Sequence, residues 1–264
     1  MIRQLPDALR GQTALISGAS SGIGAAAARK LSALGMRVIL VARRTDRLNT
    51  LAAEIEQAGG QAQVVTADLT DPSERAGLAK FAPETAVLVN NAGLGWYGYF
   101  SQMPSSLVSE MLQVNLMAVA ELTRAFLPLM QARGSGHIIN VSSVVGGLPE
   151  QGVVLYSATK AFMDAFTTAL HRELRGTGVQ AGLVCPGPVS SEFYTRAAGQ
   201  PNGKTVPIER FAVPPELVAE AIAGLLVHPR RRVYVPGWLR LSRWVEPLFG
   251  SVIDLLGPLL LKRG

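Results

Sequence analysis

The sequence predicts an α/β protein: a single doubly wound parallel sheet with helices on both faces, followed by an apolar C-terminal extension. Three observations predict it. Short, almost wholly apolar runs alternate with longer segments of helical period, the pattern of strands buried on both faces. A Gly-rich turn joins the first such run to an alanine-rich segment, as at the first strand–helix junction of such sheets. No Pro-, Gly- or Ser-rich linker and no fixed-period repeat divides the 264 residues, 48% of them hydrophobic, so one large core is expected.

The elements follow in order. Thr13 to Ser17 is a strand leading into Gly18-Ala19-Ser20-Ser21-Gly22-Ile23-Gly24, and Ala25 to Leu34 is a helix closed by Gly35. Arg37 to Ala42 is a second strand, and Asp46 to Ala58 a helix ending at Gly59-Gly60. Gln63 to Thr66 and Ala86 to Val89 are the third and fourth strands. A long helix covers Leu107 to Met130, with Pro128 near its end. His137 to Val141 is a fifth strand, Ser157 to Arg175 a helix, and Gln180 to Val184 a sixth strand. Ser190 to Pro215, with Pro201, Asn202, Gly203 and Pro207, reads as a long loop with room for a short helix, a length typical of lids. Residues 1–237 are therefore expected to form one domain with its lid at about 190–215, and 238–264 the extension.

Composition narrows the function. The net charge of +6 comes from residues scattered singly or in pairs, apart from Arg230-Arg231-Arg232, so nucleic-acid binding is not expected. The single cysteine, Cys185, lies in an apolar run and permits neither an intrachain disulfide nor a multi-cysteine metal site; no metal is expected. The N-terminus shows no signal-peptide core, and no apolar run reaches the ~18 residues of a spanning helix. A cytoplasmic setting is expected, with membrane association through residues 238–264 left open.

The turn carries chemistry as well as shape. Its glycines permit a tight bend and close approach of a phosphate, and the following helix offers free N–H groups and a positive dipole end to a pyrophosphate. The spacing is Gly-x-x-x-Gly-x-Gly. Further along, Asp68 and Leu69 follow the third strand, and Asn90-Asn91-Ala92-Gly93 follows the fourth. Asn115 lies in the long helix, and Ser143 ends the fifth strand. Tyr156 and Lys160 form Tyr-x-x-x-Lys thirteen residues after Ser143, and Pro186-Gly187-Pro188-Val189 follows the sixth strand.

In these motifs, over roughly residues 11 to 195, the chain resembles the short-chain dehydrogenase/reductase family. The resemblance implies a Rossmann-like oxidoreductase that moves a hydride between a nicotinamide and a carbonyl or alcohol carbon. It implies a catalytic set of Asn115, Ser143, Tyr156 and Lys160, with Asn115 helping to hold a water in a proton relay from Lys160. The cofactor would be held by Gly18, Ser20, Ser21, Gly22, Ile23 and Gly24 at the turn, and by Arg43 and Arg44 after the second strand. Asp68, Leu69, Asn91, Ala92 and Gly93 would follow, then Tyr156, Lys160, Pro186, Gly187, Val189 and Ser191. A small-molecule carbonyl or alcohol and assembly as a homodimer or homotetramer are the expected partners.

The chemistry can also be argued residue by residue. Tyr156 and Lys160 share a helix face, and an ammonium beside a phenol lowers its pKa from ~10 toward working pH, making an acid/base. A hydroxyl at Ser143 can donate to an oxygen that gains charge as hydride arrives. Ser142 competes for that role, but strand alternation points the two side chains oppositely, and the spacing to Tyr156 favours Ser143.

NADP(H) is expected over NAD(H). Ala42 stands where an acid would bind free ribose hydroxyls, and Arg43 follows with a guanidinium suited to a phosphate. Ser21, where many NADP-binding relatives carry a basic residue, keeps a hydroxyl; so do Ser17 and Ser191 in place of the usual threonines.

The substrate wall is expected from Leu94 to Phe100, with Trp96, Tyr97 and Tyr99, from Gly146 to Val154, and from the lid after Ser190, which suits a lipophilic substrate. The extension runs from Trp238 through Trp244 and Val245 to Leu261, then Lys262-Arg263, interrupted by Glu246, Pro247, Asp254 and Pro258. It could lie in a membrane interface, pack on another subunit or cap the cleft. A non-catalytic NADP(H)-binding regulator is the alternative function. An epimerase or dehydratase would open with Gly-x-x-Gly-x-x-Gly and carry a larger C-terminal domain.

Overall fold

Seven parallel strands stand in the order β3-β2-β1-β4-β5-β6-β7 in the computed structural model, which describes residues 2, 4–205 and 211–260. Residues 206–210 of the expected lid, Pro207 among them, and 261–264 of the extension, with Leu261, Lys262 and Arg263, lie outside the described residues. The strands are β1 (Thr13–Ser17), β2 (Arg37–Ala42), β3 (Gln61–Thr66), β4 (Thr85–Asn90), β5 (Gly136–Val141), β6 (Val179–Pro186) and β7 (Arg232–Val235). The expected doubly wound sheet is present, and the order reverses between β1 and β4, so a crevice opens at their C-terminal ends.

Alternation along each strand sends side chains to two cores. Ala14 and Ile16 of β1 face α1 (Gly22–Ala33), α2 (Thr45–Gln57) and, on the same face beside α1, the helix Pro215–Val227. Leu15 between them faces the other core, which is filled by Val114, Ala118, Leu122, Phe126 and Met130 from the long central helix. The alanines of α1 let it sit close to the sheet: Ala25 to Ala28 are all buried.

Three α-helices or strands were not anticipated, the helix Pro215–Val227 among them. A short helix, α3 (Pro72–Gly77), is capped by Asp71, whose carboxylate accepts from Ser73 N and Glu74 N. The strand β7 escapes a hydropathy reading because it is four residues long and begins in the arginine run. There Arg232 serves the fold, its Nη2 standing 3.1 Å from Oδ2 of Asp164.

The long central helix also differs from expectation. It runs as α4 (Ser105–Leu112), a π-helical turn at Gln113–Met117 and α5 (Ala118–Arg133). Widened turns of this kind are rare and concentrate at functional sites. This one carries Asn115, which is fully buried. The next helix, α6 (Val154–Glu173), carries Tyr156 and Lys160; the lid contains α7 (Glu192–Ala198), followed by α8 (Pro215–Val227) and α9 (Ser242–Leu260).

A buried polar ladder ties the central strands together. Asn90 and Asn140 are register partners on β4 and β5; Asn90 Nδ2 donates to Asn140 Oδ1 at 2.8 Å, and Asn140 Nδ2 to Thr167 Oγ1 at 2.8 Å. Asn140→Ala should destabilise the protein by about 2–4 kcal/mol, because it removes two buried hydrogen bonds and leaves a cavity. Urea unfolding of the variant checks this; a loss under about 0.5 kcal/mol would show that the ladder contributes little.

Candidate active site

A cleft of about 590 Å³ opens at the C-terminal ends of the strands, where the Gly-rich turn, the loop after β4, the end of β5, α6 and the lid meet. The turn is shaped by backbone sterics. Gly18 and Gly22 have φ of +68° and +54°, a region that side chains with a Cβ rarely enter. A Cβ on Gly18 would lie 2.8 Å from Cα of Ala92, and one on Gly24 would run into the carbonyl oxygen of Gly18. Gly18 and Gly24 are therefore needed for packing as well as for approach by a ligand.

Polar bonds lock the turn to β4. The Ser17 hydroxyl accepts from Asn91 N (3.0 Å) and Ala92 N (3.1 Å) and donates to Val89 O (3.3 Å). Asn91 Nδ2 returns a bond to Ser17 O at 2.9 Å. No side chain caps the first turn of α1, so its N–H groups stay available to an anion. The residues present thus fit a dinucleotide: a cradle that a Cβ would fill, uncapped N–H groups and flanking guanidinium groups.

The two arginines differ. Arg43 Nη1 lies 3.6 Å from Oδ2 of Asp68. Arg44 folds over the turn, donating through Nε and Nη2 to Ser20 Oγ (3.2 and 3.0 Å) and through Nη2 to Ser21 Oγ (2.8 Å).

Catalytic candidates converge at the far side. The Ser143 hydroxyl stands beside the Tyr156 phenol, where it favours the phenolate, and both line the cleft. Ser142 turns into the protein, its one hydroxyl proton facing Asp164 Oδ1 at 2.7 Å and Lys160 O at 3.1 Å, so the structure separates the two serines as alternation requires. Lys160 Nζ stands 5.6 Å from the centre of the Tyr156 ring and donates to Val141 O at 2.9 Å. Burial pulls the Lys160 ammonium down to about 8, against the opposing pull of Asp164 and Cys185.

The phenol departs from expectation. Burial pushes the Tyr156 pKa well above its ordinary value, with Tyr194 and Tyr97 adding to it, and only the Ser143 hydroxyl works the other way. Desolvation of the phenol outweighs the help it receives from its neighbours. The protein alone therefore holds Tyr156 as a proton donor.

Asn115 stands behind this group, outside the cleft lining. Its Oδ1 accepts from Leu94 N (2.8 Å), and its Nδ2 donates to Leu94 O (2.9 Å) and Thr159 Oγ1 (3.0 Å). Both N–H donors are committed, and the side chain braces the loop after β4 against α6. Every expected cofactor residue except Gly24 lines the cleft.

The expected substrate wall needs correction. Trp96, Tyr97, Tyr99, Phe100 and residues 146–154 do not line the cleft. Trp96 is buried with Leu107 and Met111 and donates to Pro201 O at 3.2 Å, anchoring the lid. Gly146 lies against the Lys160 backbone, where a Cβ would meet its carbonyl carbon at 2.8 Å. Of the three expected segments the lid after Ser190 supplies the aromatic wall, through α7: the Phe193 ring is 5.5 Å from that of Tyr156 and 5.4 Å from that of Tyr194, with Tyr97 behind Tyr194 at 6.4 Å. Gly95 leaves the room that the Phe193 ring fills. Ser191 lines the cleft and also caps α7, accepting from Phe193 N.

The extension is helical but does not cap the cleft among the described residues. Trp238, Leu241, Trp244, Leu248 and Leu255 are exposed, and no described helix is long and apolar enough to cross a membrane. No cluster of potential metal ligands occurs among the described residues.

Comparison with known proteins bears on this geometry. A family model described as short chain dehydrogenase matches residues 12–201. A ketoacyl reductase of Nostoc sp. is 38% identical over 194 residues, 71% of this chain and 67% of that protein. A very-long-chain 3-oxoacyl-CoA reductase of Anas platyrhynchos is 38% identical over 193 residues, 69% of this chain but only 61% of that longer protein. A short-chain dehydrogenase from Sphingobium yanoikuyae, solved with NADPH, superposes with a TM-score of 0.81 at 29% identity, covering 96% of this chain and 98% of that one.

Proposed function

The chain belongs to the short-chain dehydrogenase/reductase family of NAD(P)-dependent oxidoreductases, and on that premise we propose that it reduces the carbonyl of a lipophilic small molecule using NADPH, with Tyr156 as the proton donor. The observation that carries this reading is the placement of Tyr156 in the cleft beside Ser143, with Lys160 Nζ 5.6 Å from the centre of its ring. A carbonyl oxygen gains negative charge during reduction and needs a proton; a phenol that keeps its proton is matched to that direction.

The roles divide among the chain's own groups. Ser143 donates a hydrogen bond that holds the substrate oxygen. Tyr156 gives that oxygen its proton, and Lys160 stabilises the phenolate left behind. Asn115 braces Leu94 and Thr159, and the water relay expected of it would use the one lone pair its amide oxygen retains. The nicotinamide, when bound, supplies the hydride. Phe193 and Tyr194 shield the reacting carbon from water and favour an apolar substrate. Together with the 3-oxoacyl reductases among the relatives, this wall makes a 3-oxoacyl thioester the first substrate class to try. NADPH oxidation across ketones, aldehydes and 3-oxoacyl thioesters tests the reading; turnover confined to small polar carbonyls would contradict the substrate class.

Cofactor preference is assigned to Arg43 and Arg44 at the end of β2. Arg43→Asp should lower the NADPH-to-NADH ratio of kcat/KM by about 10- to 100-fold, the worth of one or two charge-assisted hydrogen bonds plus the new repulsion. An unchanged ratio would remove Arg43 from the phosphate site.

A further inference from the structure

The lid carries two charged residues, Glu192 and Arg196, that the proposed reaction does not use. Glu192 opens α7 and gathers three guanidinium groups: Arg44 Nη1 at 2.8 Å, Arg196 Nη2 at 3.1 Å and Arg47 Nη2 at 3.5 Å. They come from three elements: the end of β2, the lid helix one turn on, and α2. Arg44 bonds Ser20 and Ser21 at the same time, so the cluster is continuous with the Gly-rich turn. Arg43 is close enough to add to the positive charge on Arg196, and Arg196 lines the same cleft as Arg43 and Arg44.

The charges do not balance. Four guanidinium groups, Arg43, Arg44, Arg47 and Arg196, meet two carboxylates, Glu192 and Asp68. Like charges gathered this closely repel unless an anion joins them. A phosphate monoester is the anion that two or three forked guanidinium groups bind best. Surface ion pairs are commonly weak, yet this group meets at a cleft wall and shares hydroxyl donors with the turn.

We propose that Arg196 is a lid-borne arginine of the 2′-phosphate site, and that Glu192 is an internal counter-anion which the phosphate displaces. The inference rests on the NADP(H) reading above. It gives the lid a second function: the same short helix places Phe193 beside Tyr156, so a phosphate held by Arg196 would also settle the substrate wall.

Calorimetric titration with adenosine 2′,5′-bisphosphate and with 5′-AMP tests this without turnover. The wild type should bind the bisphosphate the more tightly. Arg196→Gln should weaken the bisphosphate by about tenfold while leaving 5′-AMP unchanged, as loss of one charge-assisted contact predicts. Glu192→Gln should strengthen the bisphosphate, since the competing carboxylate is gone. Both sites are well exposed, with side-chain accessibilities of 48% and 39%, so neither exchange threatens folding. Equal binding of the two nucleotides by the wild type would refute the NADP(H) reading itself. A wild type that discriminates beside an Arg196→Gln variant that discriminates equally, or loses both nucleotides equally, would overturn the lid arginine alone. A bisphosphate affinity that stays level or falls in Glu192→Gln would overturn the counter-anion.

Discussion

Tyr156→Phe should lower kcat for carbonyl reduction by about 10³-fold, within the range that general acid catalysis supplies. The substitution removes one oxygen and keeps the ring, so the contact with Phe193 persists. Nucleotide binding should survive, because the turn, Arg43 and Arg44 are untouched. Stopped-flow turnover alongside a nucleotide titration separates the two effects. Binding retained with turnover lost identifies the proton donor; turnover within about threefold of wild type would move that role elsewhere.

Lys160→Met should cost about 10²-fold in kcat/KM and also change the pH profile. Lys160 is buried, and burial has pulled its pKa from 10.5 to about 8. Asp164 and Cys185 face it and favour the charged form, while Arg232 and Ser142 bind Asp164. The ammonium is present below about pH 8 and lost above it. Because the charged form supports the phenolate, kcat/KM of the wild type should be level below that pH and fall as pH rises through it. The free enzyme governs this parameter, so the limb belongs to the protein before substrate binds. Lys160→Met should lack that limb. It should not be less stable, since it replaces a desolvated cation by an apolar chain of similar length while Asp164 keeps Arg232 and Ser142. A variant that retains the limb would assign it to another group.

What could be read from the sequence follows a physical division. Strands β1, β2, β4, β5 and β6 are nearly continuous apolar runs, because both faces of a parallel sheet are covered, and they stand out without partners. The edge strand β7 does not, since three of its four residues are only partly buried and Arg232 is chosen to meet Asp164. Site residues set by local backbone geometry, such as Gly18 and Gly22, were visible as spacing. So was the pair Tyr156 and Lys160, fixed by helical period. Contacts between distant segments were not. Nothing in the composition of residues 94–100 tells that Trp96 turns inward to hold Pro201 while Phe193, nearly a hundred residues later, faces Tyr156. The same limit hid the meeting of Arg44, Arg47 and Arg196 on Glu192. It also reversed the expected shift of Tyr156, because spacing reports that an ammonium is near but not how far the phenol itself is desolvated, or that Tyr194 and Tyr97 lie close to it.

The central claim is that this chain delivers a hydride to a carbonyl carbon and a proton to its oxygen. NADPH deuterated at the nicotinamide C4 tests it most directly, with a 3-oxoacyl thioester or an aromatic ketone as acceptor and mass spectrometry of the alcohol formed. The wild type should form an alcohol with one deuterium, bound to the carbinol carbon, and Tyr156→Phe should not. Tight NADPH binding with no deuterated alcohol from any acceptor would contradict it and leave a nucleotide-binding protein without the reaction.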